Sequence, residues 1–347
     1  MRIKYDCNLQ PLFIGKKPER NKKMRKKRIW RKILWFLVLL FVFVYLNNTS
    51  LFASKENKKP FLLAHRGLAQ TFPMEGITGE TNTARIIYEP EHPYLENTIP
   101  SMEAAFEAGA DMVQFDIQLT KDGQFALFHD WLLEYRTDGK GQIKDYTMEE
   151  LKALDIGYGY TADNGKTYPF RGKGIGLMPS LDEVLNHFPE GSFLIHIKSN
   201  DRQEGVKLAE YLKKLPKERL DRLAAYGGDE PIAALKEELP GLRVMSMATM
   251  KKALISYMAL GWTGYVPESM KNAYFHVPLK YARFLWGWPH KFIERMEKAN
   301  TIFIVVAGSG KWSEGFDKAE DLKEIPAHYS GGIWTNRIDR IGPVYKE

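Results

Sequence analysis

Two histidines, two cations and several acids stand where apolar runs of this sequence end. His65-Arg66-Gly67 closes a run at 61–64, and Asp116 lies in the run 112–119, two positions after Gln114. His129-Asp130 follows the run 125–128, and His196 and Lys198 fall at 193–198. Imidazoles titrate near neutrality and can pass protons to and from a reacting oxygen. Arginine and lysine bind phosphoryl oxygens, and a carboxylate can hold a divalent ion that neutralises developing charge. Singly, each residue has an ordinary structural use; Lys121-Asp122-Gly123, for example, reads as a plain turn. Collected at successive run ends, they supply the groups that phosphoryl chemistry needs.

Such residues need elements that aim them at one place. In a strand, alternate side chains face opposite ways. Over 112–119 one face carries Val113, Phe115, Ile117 and Leu119, and the other Met112, Gln114, Asp116 and Gln118. Over 193–198 the apolar face is Phe193, Ile195 and Ile197, opposite Leu194, His196 and Lys198. Polar side chains turned into a barrel are costly unless they form a site. An antiparallel edge strand with a solvated face would show the same alternation, but helical stretches between the runs argue against hairpins. The predicted strands are 61–64, 112–119, 125–128, 193–197, 223–226, 243–247, 301–306 and 332–335. The helices between them have readable ends. Pro100 belongs in a first turn and Gly109 after a last one. Thr147-x-x-Glu150 and Ser180-x-x-Glu183 are capping boxes, and Asp229 with Pro231 opens a helix that Pro240-Gly241 closes. Eight strands alternating with helices predict an α/β fold, most economically a (β/α)8 TIM barrel over 61–347, with residues 68–95 as a long loop.

The composition places this barrel. The chain has 347 residues, one cysteine (Cys7) and a formal net charge of +7. Residues 1–32 hold thirteen Lys or Arg and two acids, a local net of +11, which leaves −4 on the rest. A mildly acidic body is a poor nucleic-acid binder, so no nucleic-acid partner is expected. The uncharged run 33–46, extended to residue 53, gives a transmembrane signal-anchor of the required length. The positive-inside rule then predicts a single-pass membrane protein: 1–32 is a basic cytoplasmic tail, 54–60 a linker, and the catalytic body extracytoplasmic. Cleavage after Ala53, as in a signal peptide, is the alternative. Residues 277–296, with five aromatics and four cations, read either as a barrel helix or as an interfacial segment. The oligomeric state is not legible.

The motifs resemble the glycerophosphodiester phosphodiesterase family. They are His65-Arg66-Gly67, Glu96-Asn97-Thr98, Gln114-Phe115-Asp116, Leu119-Thr120-Lys121-Asp122-Gly123, His129-Asp130, Arg136-Thr137-Asp138-Gly139, Met178-Pro179-Ser180-Leu181, Ile195-His196-Ile197-Lys198 and Trp334-Thr335-Asn336-Arg337. The resemblance implies a TIM barrel hydrolysing glycerophosphodiesters or lysophospholipid-type substrates. It makes His65 and His129 the general acid and base, and Arg66 and Lys198 phosphate contacts. A neighbouring substrate hydroxyl attacks phosphorus, and water opens the cyclic phosphate. It also implies a divalent ion, magnesium or calcium, on three carboxylates. Here the sequence departs: Gln114 and His196 stand where the family has Glu, leaving Asp116. Three accounts follow. Asp116, Gln114 and His196 take manganese or zinc; Glu96 or a carboxylate of the long loop substitutes; or the metal site is lost and the barrel is a pseudoenzyme that binds phosphodiester headgroups without turnover.

Overall fold

The computed structural model describes residues 18–52, 58–310 and 314–346. The chain divides into two units, 1–47 and 48–347. The first is dominated by α1 (Pro18–Asn48), whose 26-residue stretch Lys23–Asn48 includes an 18-residue window with a mean hydropathy of 2.1. At 1.5 Å per residue those 26 residues run about 39 Å, enough to cross the roughly 30 Å apolar core of a bilayer. The helix starts well inside the predicted basic tail. Cys7 and most of the predicted linker lie outside the described residues.

The second unit is built as follows. Strand β1 (Phe61–His65) leads through the long loop to α2 (Ile99–Glu107), β2 (Met112–Leu119) and β3 (Phe125–Leu127). Short helices α3 (Met148–Lys152) and α4 (Leu181–His187) precede β4 (Phe193–Ile197). Then come α5 (Arg202–Leu212), α6 (Lys217–Leu220), β5 (Leu223–Gly227), α7 (Asp229–Glu238), β6 (Arg243–Ser246) and α8 (Met247–Leu260). The last part is β7 (Tyr274–Pro278), α9 (Leu279–Ala282), α10 (His290–Lys298), β8 (Ile302–Val306), β9 (Gly332–Thr335) and α11 (Ile338–Lys346). The sheet order is β6-β5-β4-β2-β1-β9-β8-β7, all parallel, and a bridge from Val244 to Ala273 nearly closes the ring. This is the expected TIM barrel.

Two strands differ from the sequence expectation. β3 pairs antiparallel with β2 and lies off the barrel path, so 125–128 is not one of the eight staves. The eighth is β7, which the sequence reading had missed. Its Tyr-Phe-His-Val-Pro run carries a polar residue and ends in proline, a poor strand signal. Thr147 and Ser180 are N-caps in capping boxes, as read, and Thr98 is a third before Pro100, each contributing about 1 kcal/mol. Of the aromatics in 277–296, Phe292 is buried and Trp286 and Trp288 pack on the core, whereas Tyr281 and Phe284 are exposed.

There are two apolar cores. The larger fills the barrel and its helices. The smaller joins Ala84, Ile87 and Leu95 of the long loop to residues between Phe128 and Met178, including Tyr160 and Phe170. That second core holds the β1–α2 and β3–α4 connections together over the strand ends, where the polar residues collect.

Candidate active site

His65 ends β1, and the chain then turns through two left-handed residues, Arg66 (φ 60°) and Gly67 (φ 80°). A side chain at Gly67 would collide with Ser101 of α2, so glycine is required. At Arg66 the same backbone is strained by about 1–2 kcal/mol. It is held by the Arg66 amide donating to Gln114 O at 2.8 Å and by the Asn97 amide donating to Arg66 O at 3.0 Å. Arg66 Nη1 donates to Glu96 Oε1 at 3.0 Å, and Nε lies 3.3 Å from Asp116 Oδ2. Nε also donates to His65 Nε2 at 3.2 Å, while His65 Nδ1 meets Asn336 Oδ1 at 2.6 Å. An amide oxygen only accepts, so Nδ1 carries the proton and Nε2 keeps its lone pair. Burial, then the Arg66 charge, pushes the His65 pKa well below its ordinary value.

His129 arrives on the return of the β2–β3 hairpin. Its Nδ1 lies 2.8 Å from Asp130 Oδ1, and Asp130 in turn pairs with Arg136 at 2.6 Å. Arg136, 2% exposed, also reaches Glu96 at 3.4 Å and packs over Tyr160 at 5.1 Å. Burial raises the Asp130 pKa, but Arg136, His129 and Arg66 together outweigh it and hold the carboxyl well below the usual range. His129 is lowered by burial, then by Arg66 and Lys198, against the pull of its neighbouring carboxylates. Lys198 follows β4, and burial lowers its pKa. Among the described residues it has no carboxylate within ion-pair distance.

Strand register places the next three groups side by side. Asp116 on β2 is level with His196 on β4, which is level with Tyr226 on β5. His196 Nδ1 lies 2.6 Å from Asp116 Oδ1, and its ring stacks on Tyr226 with centroids 4.1 Å apart. Burial lowers the His196 pKa to about 4 despite the carboxylate. Beyond Tyr226 an aromatic arc continues across the mouth: Tyr226 to His276 at 5.2 Å, His276 to Trp334 at 5.4 Å, Trp334 to His65 at 4.9 Å. Tyr274 Oη, His276 Nδ1 and Trp334 Nε1 are buried there without hydrogen-bond partners among the described residues. The sequence reading assigned no role to His276, Tyr226 or Tyr274. Asn97 and Asn336 stood only inside quoted motifs. Only the strand register and the loop path reveal what they touch.

On the other side of His65, a cavity of about 730 Å³ opens between the long loop and the β9–α11 connection, with Arg66, Glu96, His92, Asn336 and Arg337 in its wall. Glu91 of the loop accepts from Arg337 and Arg340, both at 2.6 Å, and those two guanidiniums hold its pKa at about 2. The loop is thereby tied down beside the site.

The predicted metal ligands do not form a cation cage. Asp116 is 1% exposed and both its oxygens are already engaged. Oδ1 accepts from Gln114 Nε2 at 3.3 Å and meets His196, while Oδ2 accepts from Asn97 Nδ2 at 3.2 Å and pairs with Arg66. Gln114 Oε1 takes the Arg66 amide at 3.2 Å. Glu96 lines the cavity, but its two oxygens are paired with Arg66 and Arg136. Among the described residues no three of His, Cys, Asp and Glu are arranged to hold an ion. A hard cation needs several free oxygens, so the donor set does not fit magnesium or calcium.

A parallel barrel with two oriented imidazoles and two buried cations at its strand C-termini falls among TIM barrels whose sites suit anionic ligands. Residues 65–263 match the Glycerophosphoryl diester phosphodiesterase family, and the chain belongs to it. A glycerophosphodiester phosphodiesterase of Bacillus subtilis is 37% identical over 124 residues, 35% of this chain and 39% of the relative. The chain spans less than half the length of the first curated relatives it matches. Among solved structures, the glycerophosphoryl diester phosphodiesterase domain of an uncharacterized Mycobacterium tuberculosis protein aligns with TM-score 0.59 at 16% identity, over 82% of this chain and 99% of that one. An Oleispira antarctica phosphodiesterase in complex with the product sn-glycerol-3-phosphate aligns with TM-score 0.51 at 16% identity, over 83% and 97%.

Proposed function

We propose that this barrel hydrolyses glycerophosphodiesters, including lysophospholipid-type substrates, by two-histidine acid–base catalysis. The observation that carries this reading is the pair His65 and His129. Their Nδ1 atoms are held by Asn336 and by Asp130, and His65 Nε2 accepts from Arg66 Nε. His65 is unprotonated at Nε2, where the substrate hydroxyl would replace the Arg66 Nε–H, and its Nδ1 partner is neutral, so it suits the base. His129 has a carboxylate partner that steadies an imidazolium, so it suits the acid. His65 takes the proton of the substrate hydroxyl next to the phosphate as that oxygen bonds to phosphorus. The bond to the leaving alcohol breaks, and His129 donates its proton to that oxygen. Water then opens the cyclic phosphate, giving a proton to His129, and His65 returns its proton to the released hydroxyl. Arg66 Nη2 and the Lys198 ammonium are the donors left for phosphoryl oxygens. The cavity beside His65 has room for the glycerol portion, the group that the Oleispira relative retains as product. In this reading α1 is a single-pass anchor with its basic flank in the cytoplasm and the barrel outside.

The test is release of glycerol phosphate from a glycerophosphodiester by the purified full chain, with phosphorus NMR to detect the cyclic intermediate. Headgroup binding without turnover would instead mark a non-catalytic barrel. The role assignment also has a pH signature. For kcat/KM, His65 must be neutral and His129 protonated in the free enzyme. Both pKa values are pushed below 6.5, so the optimum falls on the acid side of 6.5 and the rate declines as pH rises through the His129 pKa. An optimum above pH 7.5 would reject these roles.

A further inference from the structure

Resting on the hydrolase reading, we infer that this site works without a divalent metal, with Arg66 as its fixed cation. Three donors and one cation converge on the Asp116 carboxylate: His196, Gln114 and Asn97 by hydrogen bonds, and Arg66 Nε as an ion pair at 3.3 Å. The Gln114 amide has one consistent orientation. Its Oε1 receives the Arg66 backbone N–H, and its Nε2 faces Asp116; the reverse would set oxygen against oxygen and N–H against N–H. An ion on Asp116 would have to displace at least one of these donors and would come to rest beside the Arg66 guanidinium.

The arrangement is built for arginine. Arg66 and Asn97 both have left-handed backbones, φ 60° and 58°, and both reach Asp116. Asn97 engages it twice, also accepting the Asp116 backbone N–H at 3.0 Å. Strained residues persist only where the surroundings over-determine them, and here both strained positions serve to hold donors against one carboxylate. Glu96 and Asp116 clamp Nη1 and Nε of Arg66. Nη2 stays open to an anionic oxygen, and Lys198 supplies a second uncommitted cation. Positive charge is thus present before any ion arrives.

The test uses the full chain in detergent after exhaustive EDTA treatment. Calorimetric titration with magnesium, calcium, manganese and zinc salts is expected to show no binding tighter than millimolar. Turnover is expected to stay within twofold of the untreated protein. Arg66→Ala is expected to lose at least a hundredfold in kcat/KM and to recover in part with added guanidinium, not with divalent ions. The paired change Gln114→Glu with His196→Glu is expected to bind calcium or manganese at least tenfold more tightly than the parent. A stoichiometric ion on the parent protein, with activity that falls tenfold on chelation and returns on re-addition, overturns the inference. Rescue of Arg66→Ala by a divalent ion, or equal ion affinity of the parent and the paired variant, overturns it as well. The calorimetry reads ion binding whether or not any diester is cleaved, so failure here is distinct from failure of the hydrolase reading.

Discussion

The two sides of the barrel mouth solve the burial of polar groups in opposite ways. On the β1–β2–β4 side, the charged groups Glu96, Asp116, Asp130, Arg66 and Arg136 are buried in mutual contact. On the β5–β7–β9 side, Tyr274, His276 and Trp334 bury polar atoms that no group among the described residues meets. A buried charge left alone is prohibitive, so the first side must satisfy itself internally. A neutral hydroxyl or N–H costs only about 1–3 kcal/mol when unmatched, so the second side can keep hydrogen-bonding capacity in reserve for water or a ligand. The difference separates a side fixed in advance from a side that is completed by what binds.

The largest effect tests the fixed side. His65→Ala and His129→Ala should each lower kcat/KM by about 10²–10⁴-fold, with the fold kept by circular dichroism. Equal activity of either variant and the parent would remove the paired imidazoles from the chemistry.

Asp130→Ala should cost about 3–5 kcal/mol of folding stability, because Arg136 would remain buried with one partner fewer. Denaturant midpoints measure this. A loss below 1 kcal/mol would mean that the charged side is held by packing and not by pairing.

The aromatic side should show itself in the pH dependence of stability. Burial holds His276 to a pKa of about 4, against 6.5 when exposed. The unfolded chain therefore gains a proton first on acidification. Stability is full above pH 6.5 and is lost as pH falls toward 4, by on the order of 3 kcal/mol for this residue. His276→Phe should flatten that slope between pH 6.5 and 4.5. An unchanged slope would assign the acid sensitivity to His65, His129 and His196.

The smallest effect is Tyr274→Phe. Removing an unpartnered hydroxyl should leave stability unchanged or raise it by about 1 kcal/mol. A clear loss would reveal a partner for that oxygen, such as an ordered water.

These contrasts also mark how far the sequence could be read. His65, Arg66, Asp116, His129 and Lys198 were legible because each closes or interrupts an apolar run, and run ends in a barrel share one face. Direction of pairing was not: a short apolar stretch such as 125–128 looks the same whether it becomes a stave or folds back, as β3 does. The aromatic arc was illegible for another reason. Tyr226 stacks on His196 only because β4 and β5 run level at those residues, and register across a parallel sheet leaves no local trace. Glu96 shows the same limit from the loop side. Its motif was plain, but whether it faced an ion or two arginines depended on the path from 68 to 95.

The balance of charge at the mouth bears on how a substrate is met. Arg66, Arg136 and Lys198 are offset by Glu96, Asp116 and Asp130, and residues 33–347 sum to −4. Beyond a Debye length of about 8–10 Å the mouth therefore presents almost no field to an approaching anion. Encounter proceeds at the unsteered rate, and ionic strength changes it little. In the proposed reading, discrimination begins only on contact, when Arg66 and Lys198 come within hydrogen-bonding range of the phosphate. A barrel of this kind trades capture range for constancy, and as the proposed hydrolase its throughput would follow local diester concentration rather than the salt of the medium.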